Sequence, residues 1–224
     1  YVMCMKRLFD IVFSVLGLII ISPVFILLSL IIVLDSRGGV FFRGVRVGQY
    51  GKDFKIFKFR SMVKDAEGKG KWNVGDNDKR ITRFGHFLRK SKLDELPQLI
   101  NVLIGDMSLV GPRPELRYYV EMYIEREKKI LKMKPGITDW ASVTHFKQFV
   151  SFTQSDDPDK EYVERIRPLK LELQLYYYEH RSLGMDIRII VFTVSKMIFR
   201  NLNLPKDIQE VITQFNNKIQ KYDK

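Results

Sequence analysis

Residues 11–34 read IVFSVLGLIIISPVFILLSLIIVL, an apolar run of 24 residues that contains no charged side chain and is bounded by Asp10 and Asp35. At about 1.5 Å per residue, a helix of this length can cross a hydrocarbon core of about 30 Å. The plain interpretation is a straight transmembrane anchor. In either case the rest of the chain is expected to fold beside a membrane.

The middle of this run carries Ser22-Pro23, which favours a different path. A proline removes a backbone N–H donor and clashes with the preceding turn, so it kinks or breaks a helix. Cations flank the run on both sides, so they give a spanning helix no clear orientation. We therefore predict a re-entrant helix–break–helix over residues 1–36, with both ends on the cytoplasmic face. The Ser22 hydroxyl is then the available partner for a backbone group that the break releases.

Composition limits the class of protein that the remaining residues can form. The chain has 224 residues, 46% of them hydrophobic and 29% charged, which excludes a wholly disordered protein. A single cysteine, Cys4, excludes an intrachain disulfide and a cysteine-based zinc site. The three histidines lie far apart and show no metal-ligand spacing.

The positive charge is concentrated next to the apolar run. The whole chain carries a net charge of +12, and residues 37–92 hold 16 Lys and Arg against 5 Asp and Glu, which leaves +11 in this stretch. Such a stretch can be a solvated face, a surface for anionic lipid headgroups, a nucleic-acid site or a phosphate pocket. The adjacent membrane segment, and the lack of a recognisable nucleic-acid motif, favour phosphates.

Local patterns predict a mainly helical α+β fold with a small α/β domain over residues 37–200. Aromatic and β-branched runs predict strands at 40–42 and 54–59, joined by a turn at 48–51. An amphipathic pattern beyond Pro205 sets residues 201–224 apart as a C-terminal helix or tail. Further helices are predicted at 83–90, 94–104, 115–133, 169–181 and 187–200, the last of them at the membrane surface.

The adjacent carboxylates of Asp94 and Glu95 are the most informative polar pair. Alone, they are most simply interpreted as capping residues of the following helix. In a cationic pocket, however, an ionised Asp can attack phosphorus, and a second carboxylate can hold Mg²⁺ against phosphate oxygens. The cations expected in the same pocket are Lys58, Arg60, Arg89 and Arg113.

The segment Gly111-Pro112-Arg113-Pro114 is a second candidate feature. Two prolines restrict the backbone on both sides of Arg113, so its guanidinium can meet a phosphate with two parallel hydrogen bonds at a lower entropic cost. A rigid loop with a surface arginine is the simpler alternative.

Four motifs together resemble one family. They are KRLFDIVFSVLGLIIISPVF (6–25), FKIFKFRSM (54–62), LRKSKLDELPQLINVLIGDMSLVGPRPEL (88–116) and KPGIT (134–138). The chain resembles the bacterial sugar transferases, which are monotopic phosphoglycosyl transferases that start glycoconjugate assembly on polyprenol phosphate. The resemblance covers most of residues 5–200.

The resemblance implies a role for each candidate residue. It implies a re-entrant helix broken at Ser22-Pro23, with Asp94 as nucleophile and Glu95 beside it at a Mg²⁺ site to which both carboxylates contribute. It also implies phosphate or substrate contacts from Arg89 and Arg113, and a role for Arg60. Lys58 is added to this substrate-binding set.

The sequence departs from the family pattern in two places. Many members follow PGIT with a GLAQVNGR-like stretch whose Arg reaches substrate, whereas residues 138–147 here read TDWASVTHFK. Lys147 is therefore the candidate substitute for that Arg, and the identity of the donor sugar stays open. The chain also lacks the multi-helix N-terminal region of larger members, so it resembles the small form.

We therefore expect an enzyme of the bacterial inner membrane, with its catalytic domain on the cytoplasmic face. It would transfer a sugar-1-phosphate from a UDP-sugar to undecaprenyl phosphate through an aspartyl phospho-sugar intermediate and release UMP. Membrane lipids and a second copy of the chain are further candidate partners, and nucleic acid is not. The competing hypotheses are a membrane-anchored basic binding module and a membrane phosphohydrolase.

Overall fold

The computed structural model describes residues 2–64, 66, 78–144, 158–199 and 201–222. Its helices are α1 (Val2–Asp35), α2 (Arg83–Ser91), α3 (Gln98–Ile104), α4 (Arg117–Val120), α5 (Trp140–Thr144), α6 (Pro158–Glu161), α7 (Arg167–His180), α8 (Leu183–Ile198) and α9 (Lys206–Tyr222). Its strands are β1 (Phe41–Val47), β2 (Asp53–Phe59), β3 (Ser108–Val110) and β4 (Gly136–Thr138). The prediction of a mainly helical α+β fold is confirmed.

The strands form two small sheets. β1 and β2 are antiparallel, with Phe41 opposite Phe59 and Val47 opposite Asp53, and a short 3₁₀ turn at Gln49–Gly51 connects them. β3 and β4 are parallel, with Ser108 opposite Gly136. The predicted strands and their turn are therefore confirmed in the first sheet, and the second sheet joins two motifs that lie far apart in the sequence.

The region after the Pro-Arg-Pro segment differs from the prediction. Residues 115–133 were expected to form one charged helix, but the chain there consists of the short α4 and a 3₁₀ segment, Glu127–Lys132. This prediction is wrong because Glu115 is buried at the start of the segment, with 6% of its surface exposed. A solvated helix would place this carboxylate in water instead.

The N-terminal half of α1 is bound to the folded domain by polar side chains. The Lys6 ammonium contacts the Val110 carbonyl oxygen at 2.9 Å and the Asp186 carboxylate at 2.8 Å. Arg7 donates to carbonyl oxygens in the last turn of α3, where helical carbonyls lack intrahelical partners. Asp10 is buried and accepts hydrogen bonds from Ser108 and Leu109 of β3.

The C-terminal half of α1 contacts the same domain. Leu28 and Ile32 pack with Phe59 and Leu88 in a hydrophobic cluster that joins α1, β2 and α2. The Asp35 carboxylate accepts a hydrogen bond from a backbone N–H in the first turn of α2, at 3.2 Å. Both ends of the long apolar helix are thus attached to one folded unit.

α1 is a continuous helix that passes through Ser22-Pro23, so the predicted break is not seen. Pro23 cannot donate to the carbonyl oxygen of Ile19, four residues earlier. The Ser22 hydroxyl donates to that oxygen instead, at 2.8 Å, as expected for a serine beside the proline. Within the described residues, the Cys4–Asp35 stretch is the one helix long and apolar enough to cross a membrane.

The main hydrophobic core lies at the other end of the domain, where α5, α7, α8 and α9 meet. Trp140, Leu173, Ile189 and Ile208 are fully buried there. The predicted C-terminal amphipathic helix is confirmed as α9, and α7 and α8 cover its apolar face. The domain boundaries at residues 36 and 200 remain predictions.

A buried ionic network holds the chain just beyond the Pro-Arg-Pro segment. The Glu115 carboxylate accepts hydrogen bonds from the Lys170 ammonium and from the hydroxyls of Tyr123 and Tyr162. Burial alone raises the pKa of Glu115, but Lys170 and the two tyrosines outweigh it and hold the pKa below its ordinary value. Burial and the negative charge of Glu115 raise the pKa of both tyrosines.

This network predicts a specific dependence of stability on pH. Because the pKa of Glu115 is lower in the folded than in the unfolded chain, its ionised form stabilises the fold fully above the ordinary pKa of 4.5. The contribution is lost as the pH falls through the lower folded value. Glu115→Gln should therefore flatten the acid limb of the stability profile. At neutral pH it should lower the free energy of unfolding by about 3–5 kcal/mol, because Lys170 loses its counter-ion.

Denaturant unfolding in detergent between pH 7 and pH 3 would check both effects. Glu125→Gln is the matched control, because the Glu125 side chain is 88% exposed and pairs only with Lys128 at the surface. If Glu115→Gln unfolded at the wild-type denaturant concentration and with the same acid limb, the network would not stabilise the fold as argued.

Candidate active site

The Asp94-Glu95 pair lies in a tight turn between two helices. Lys92 follows the last residue of α2 and adopts a left-handed conformation with φ of 60°. Leu93–Glu95 then form one 3₁₀ turn, which is followed by Pro97 and α3. The predicted helix therefore begins at Gln98 and not at Asp94. A non-glycine residue at positive φ is uncommon and is often found at a functional turn.

Hydrophobic contacts hold this turn against a cluster that includes the C-terminal half of α1. Leu93 and Leu96 flank the two carboxylates and pack against the cluster that contains Leu28 and Ile32 of α1. The turn thus places apolar side chains on a cluster to which α1, β2 and α2 all contribute. The position of the pair is therefore determined by α1 as well as by α2 and α3.

Glu95 forms the centre of a compact ionic cluster. The Lys58 ammonium of β2 contacts its Oε1 atom at 2.9 Å. The Arg113 guanidinium donates to both carboxylate oxygens, with 3.0 Å from Nη1 to Oε2 and a second, shorter bond to Oε1. Burial raises the pKa of Glu95, but Arg113 and Lys58 outweigh it and hold this pKa well below its ordinary value. Glu95 is therefore ionised at neutral pH.

Asp94 lies beside this cluster in a different electrostatic environment. Its side chain is buried, and its Oδ1 atom accepts no hydrogen bond from the described residues. Burial is the largest cause of a raised pKa at Asp94; the Glu95 charge adds to it, and Lys58 opposes it. The two neighbouring carboxylates therefore have pKa values shifted in opposite directions, which is typical of acidic pairs that perform different chemical tasks.

The Pro-Arg-Pro segment reaches the site because two sequence motifs pair with each other. The Gly111 N–H donates to the Thr138 carbonyl at 3.1 Å, and the Gly136 N–H donates to the Pro112 carbonyl at 3.0 Å. The two motifs approach so closely that a Cβ atom on Gly136 would overlap the backbone of Gly111, and a Cβ atom on Gly111 would overlap the Lys134 carbonyl oxygen. The GPRP and KPGIT motifs are therefore the two sides of one parallel strand contact.

The other predicted substrate-binding residues are Arg60, Arg89 and Lys147. The guanidinium of Arg60 is buried at the C-terminal end of α1, where it donates to carbonyl oxygens of Ile32, Ser36 and Arg37. Arg89 is half-buried in the last turn of α2. Lys147 lies outside the described residues. The substrate roles of these three side chains stay predictions.

Lys92 is a member of the site that the sequence reasoning missed. Its positive charge acts on both Asp94 and Glu95 and lowers the pKa of each. The signal that identifies it is conformational, since the left-handed backbone turns the chain from α2 into the 3₁₀ segment. A lysine at this position is not distinguishable, in the sequence, from the many other lysines of the basic stretch.

Comparison with known proteins supports the same class of chemistry. A family model described as bacterial sugar transferase matches residues 1–200. The chain is 36% identical over 196 residues to an uncharacterized sugar transferase, EpsL, of Bacillus subtilis (strain 168), and the match covers 88% of each protein.

Two larger relatives have more specific names. One is the UDP-glucose:undecaprenyl-phosphate glucose-1-phosphate transferase of Escherichia coli (strain K12), 41% identical over 195 residues that cover 86% of this chain and 40% of that enzyme. The other is the UDP-N-acetylgalactosamine-undecaprenyl-phosphate N-acetylgalactosaminephosphotransferase of Aeromonas hydrophila, 37% identical over 86% of this chain and 43% of that enzyme. The chain spans about two fifths of these two relatives.

These matches give no support to the binding module or to the phosphohydrolase. They confirm the predicted enzyme class, a phosphoglycosyl transferase, and they cover nearly the whole chain. The chain therefore belongs to the bacterial sugar transferase family.

Proposed function

We propose that this enzyme transfers a sugar-1-phosphate from a UDP-sugar to undecaprenyl phosphate through a covalent intermediate on Asp94. The single observation that carries the proposal is a pair of carboxylates: Asp94 is buried and its Oδ1 atom has no hydrogen-bond partner among the described residues, and the neighbouring Glu95 is held between two cations. The names of the relatives support the donor and acceptor classes.

The reaction has two balanced steps. In the first, a carboxylate oxygen of Asp94 attacks the β-phosphorus of the donor, the bond from this phosphorus to the bridging oxygen breaks, and UMP leaves with the electron pair. In the second, an oxygen of the lipid phosphate attacks the same phosphorus and the bond to Asp94 breaks. The product is a polyprenyl diphospho-sugar, and the Asp94 carboxylate is restored.

The neighbouring side chains position and neutralise the phosphates. Arg113 and Lys58 place two positive charges within a few ångströms of the pair, where phosphate oxygens accumulate negative charge. A guanidinium has five N–H groups, so the contact with Glu95 leaves others for a phosphate. The raised pKa of Asp94 makes its ionised oxygen a stronger base and a stronger nucleophile.

The two carboxylates also suit Mg²⁺, which we include in the proposal. Mg²⁺ is commonly held by one or two carboxylates together with substrate phosphates. The Oδ1 atom of Asp94 has no partner among the described residues, and it is the oxygen available to a cation. The same part of the chain contains no cluster of three or more metal-binding side chains that would form a site without substrate. When bound, the ion would neutralise charge on the phosphates.

We place the enzyme on the cytoplasmic face of the bacterial inner membrane, with α1 re-entrant. One observation supports this topology: both halves of α1 contact one folded domain. The exposed face of α8, which carries Ile187, Val191, Val194 and Ile198, is suited to lie at the lipid surface. Assembly into a homodimer stays a prediction.

The covalent intermediate is testable by intact-protein mass spectrometry. The wild-type enzyme, mixed with a UDP-sugar from a donor panel and no lipid acceptor, should gain the mass of one sugar phosphate and release one UMP. Asp94→Asn should gain no mass and should lose about 10³-fold or more in turnover, because the amide has no anionic oxygen for the attack. Glu95→Gln should also lose activity, since Arg113 and Lys58 lose their shared counter-ion.

Asp53→Asn is a matched control for this experiment, because Asp53 forms an exposed ion pair with Arg117. It should keep wild-type labelling. Near-normal turnover of Asp94→Asn would demote Asp94 to a turn residue and require another nucleophile. Release of sugar phosphate into water when the lipid is supplied, with no lipid product, would indicate a hydrolase.

The topology is testable with two cysteines that bracket α1. The natural Cys4 is exposed near one end, and Gly39→Cys in a Cys4→Ser background marks the other, since a side chain at residue 39 meets no other atom within 4 Å. A membrane-impermeant thiol reagent should label neither site in intact cells and both sites after permeabilisation. Labelling of Cys4 alone in intact cells would indicate a spanning helix.

A further inference from the structure

The peptide unit between Pro112 and Arg113 is held by a hydrogen bond at each of its two polar groups, of which the Pro112 carbonyl oxygen accepts from the Gly136 N–H. Pro112 and Pro114 have no N–H group, so the N–H of Arg113 is the one backbone donor of this tripeptide. It donates to the Oδ2 atom of Asp139 at 3.2 Å. A carboxylate that was not among the predicted site residues therefore accepts the one backbone N–H that Pro112-Arg113-Pro114 can donate.

The position of Asp139 follows from the strand contact between β3 and β4. At the C-terminal end of β4, the Thr138 carbonyl accepts a hydrogen bond from the Gly111 N–H. Asp139 is the next residue after β4. Its side chain continues the pattern by one more hydrogen bond, to the N–H of Arg113. The Asp139 side chain thus takes the place of a strand carbonyl.

Asp139 is itself fixed in the core of the domain. It is 1% exposed. Its Oδ2 atom also accepts a hydrogen bond from the Gln174 side-chain amide of α7, at 2.8 Å, and its Oδ1 atom accepts from the Ser142 N–H in α5, at 2.7 Å. Two elements, α5 and α7, therefore hold the carboxylate in place in addition to its contact with Arg113.

We propose that Asp139 is a positioning residue that acts through Arg113. It fixes the backbone of Arg113 so that the guanidinium lies on the Glu95 carboxylate, next to Asp94. A catalytic group must be held close to its productive geometry, and a displacement of about 1 Å can cost about 10²-fold in rate. This inference rests on the proposed function, because it assigns a role in the first transfer step.

A simpler role for Asp139 is that of a helix cap. Its bond to the Ser142 N–H is the contact that an N-cap residue makes with the third residue of a helix, here α5. Asp, Asn and Ser are almost equally good N-caps. A variant that keeps the cap and loses the contact with Arg113 separates the two roles.

Asp139→Asn is such a variant. The single carbonyl oxygen of the Asn can still accept from the Ser142 N–H, and its amide NH₂ then occupies the place of Oδ2. Gln174 can adapt by turning its side-chain oxygen, which has no partner among the described residues, towards the new amide. The N–H of Arg113 cannot adapt, because it would face another donor.

The experiment measures the rate of sugar-phosphate attachment in a single turnover with a UDP-sugar, together with the thermal midpoint in detergent. Asp139→Asn should slow attachment by about 10–100-fold, as loss of an orienting neighbour commonly does. Its thermal midpoint should stay within about 4 °C of wild type, since the cap is kept. Asp139→Ser, which caps but is too short to reach Arg113, should give the same loss and serves if the Asn variant folds poorly.

A double-mutant cycle tests whether Asp139 acts through Arg113. In an Arg113→Ala background, Asp139→Asn should slow attachment little further, because the effects of two residues that act as a unit on the rate are not additive. Asp207→Asn is the matched control, because it alters an ion pair with Arg188 on α8. This variant should attach sugar phosphate at the wild-type rate. Normal attachment in Asp139→Asn with impaired attachment in Arg113→Ala, or fully additive losses, would overturn this inference alone. Absence of any covalent adduct in the wild-type enzyme would overturn the proposed function.

Discussion

The ion pairs of Glu95 join three parts of the chain that share no local structure. Lys58 comes from the β1–β2 hairpin, Glu95 from the turn between α2 and α3, and Arg113 from the segment after β3. A half-buried charge without a partner is costly, so each of these segments is held where it can supply or neutralise its charge. The ion pairs therefore fix the hairpin, the turn and the Pro-Arg-Pro segment relative to one another, and this arrangement brings the cations beside Asp94.

Patterns that depend on near neighbours in the sequence predicted the structure well. The hairpin, α2, α7, α8 and α9 follow from alternation, helical spacing and turn residues, because these signals reflect local backbone geometry. The proximity of Lys58 and Arg113 to the acidic pair was also predicted. The single helix expected over 115–133 is wrong because tertiary burial of Glu115 overrides a helical composition.

Features that depend on long-range contacts were not visible in the sequence. The substrate role of Arg60 stays a prediction, but the sequence did not show that its guanidinium donates to carbonyl oxygens at the C-terminal end of α1. Lys92 and Asp139 carry no sequence signal of their own, because their roles come from a left-handed turn and from the end of a parallel strand contact. α1 continues through Pro23, and the Ser22 hydroxyl bonds to the carbonyl oxygen that Pro23 leaves without a donor. The sequence did predict Ser22 as the partner of a released backbone group.

The attachment of α1 at both ends has a practical consequence for work on the isolated domain. A chain shortened to begin near residue 38 would remove Leu28 and Ile32 from the cluster that covers Phe59 and Leu88. It would also remove the carbonyl oxygens to which the Arg60 guanidinium donates. The apolar segment is thus a structural part of the catalytic domain, and a water-soluble fragment made by deleting it would lose part of its own core.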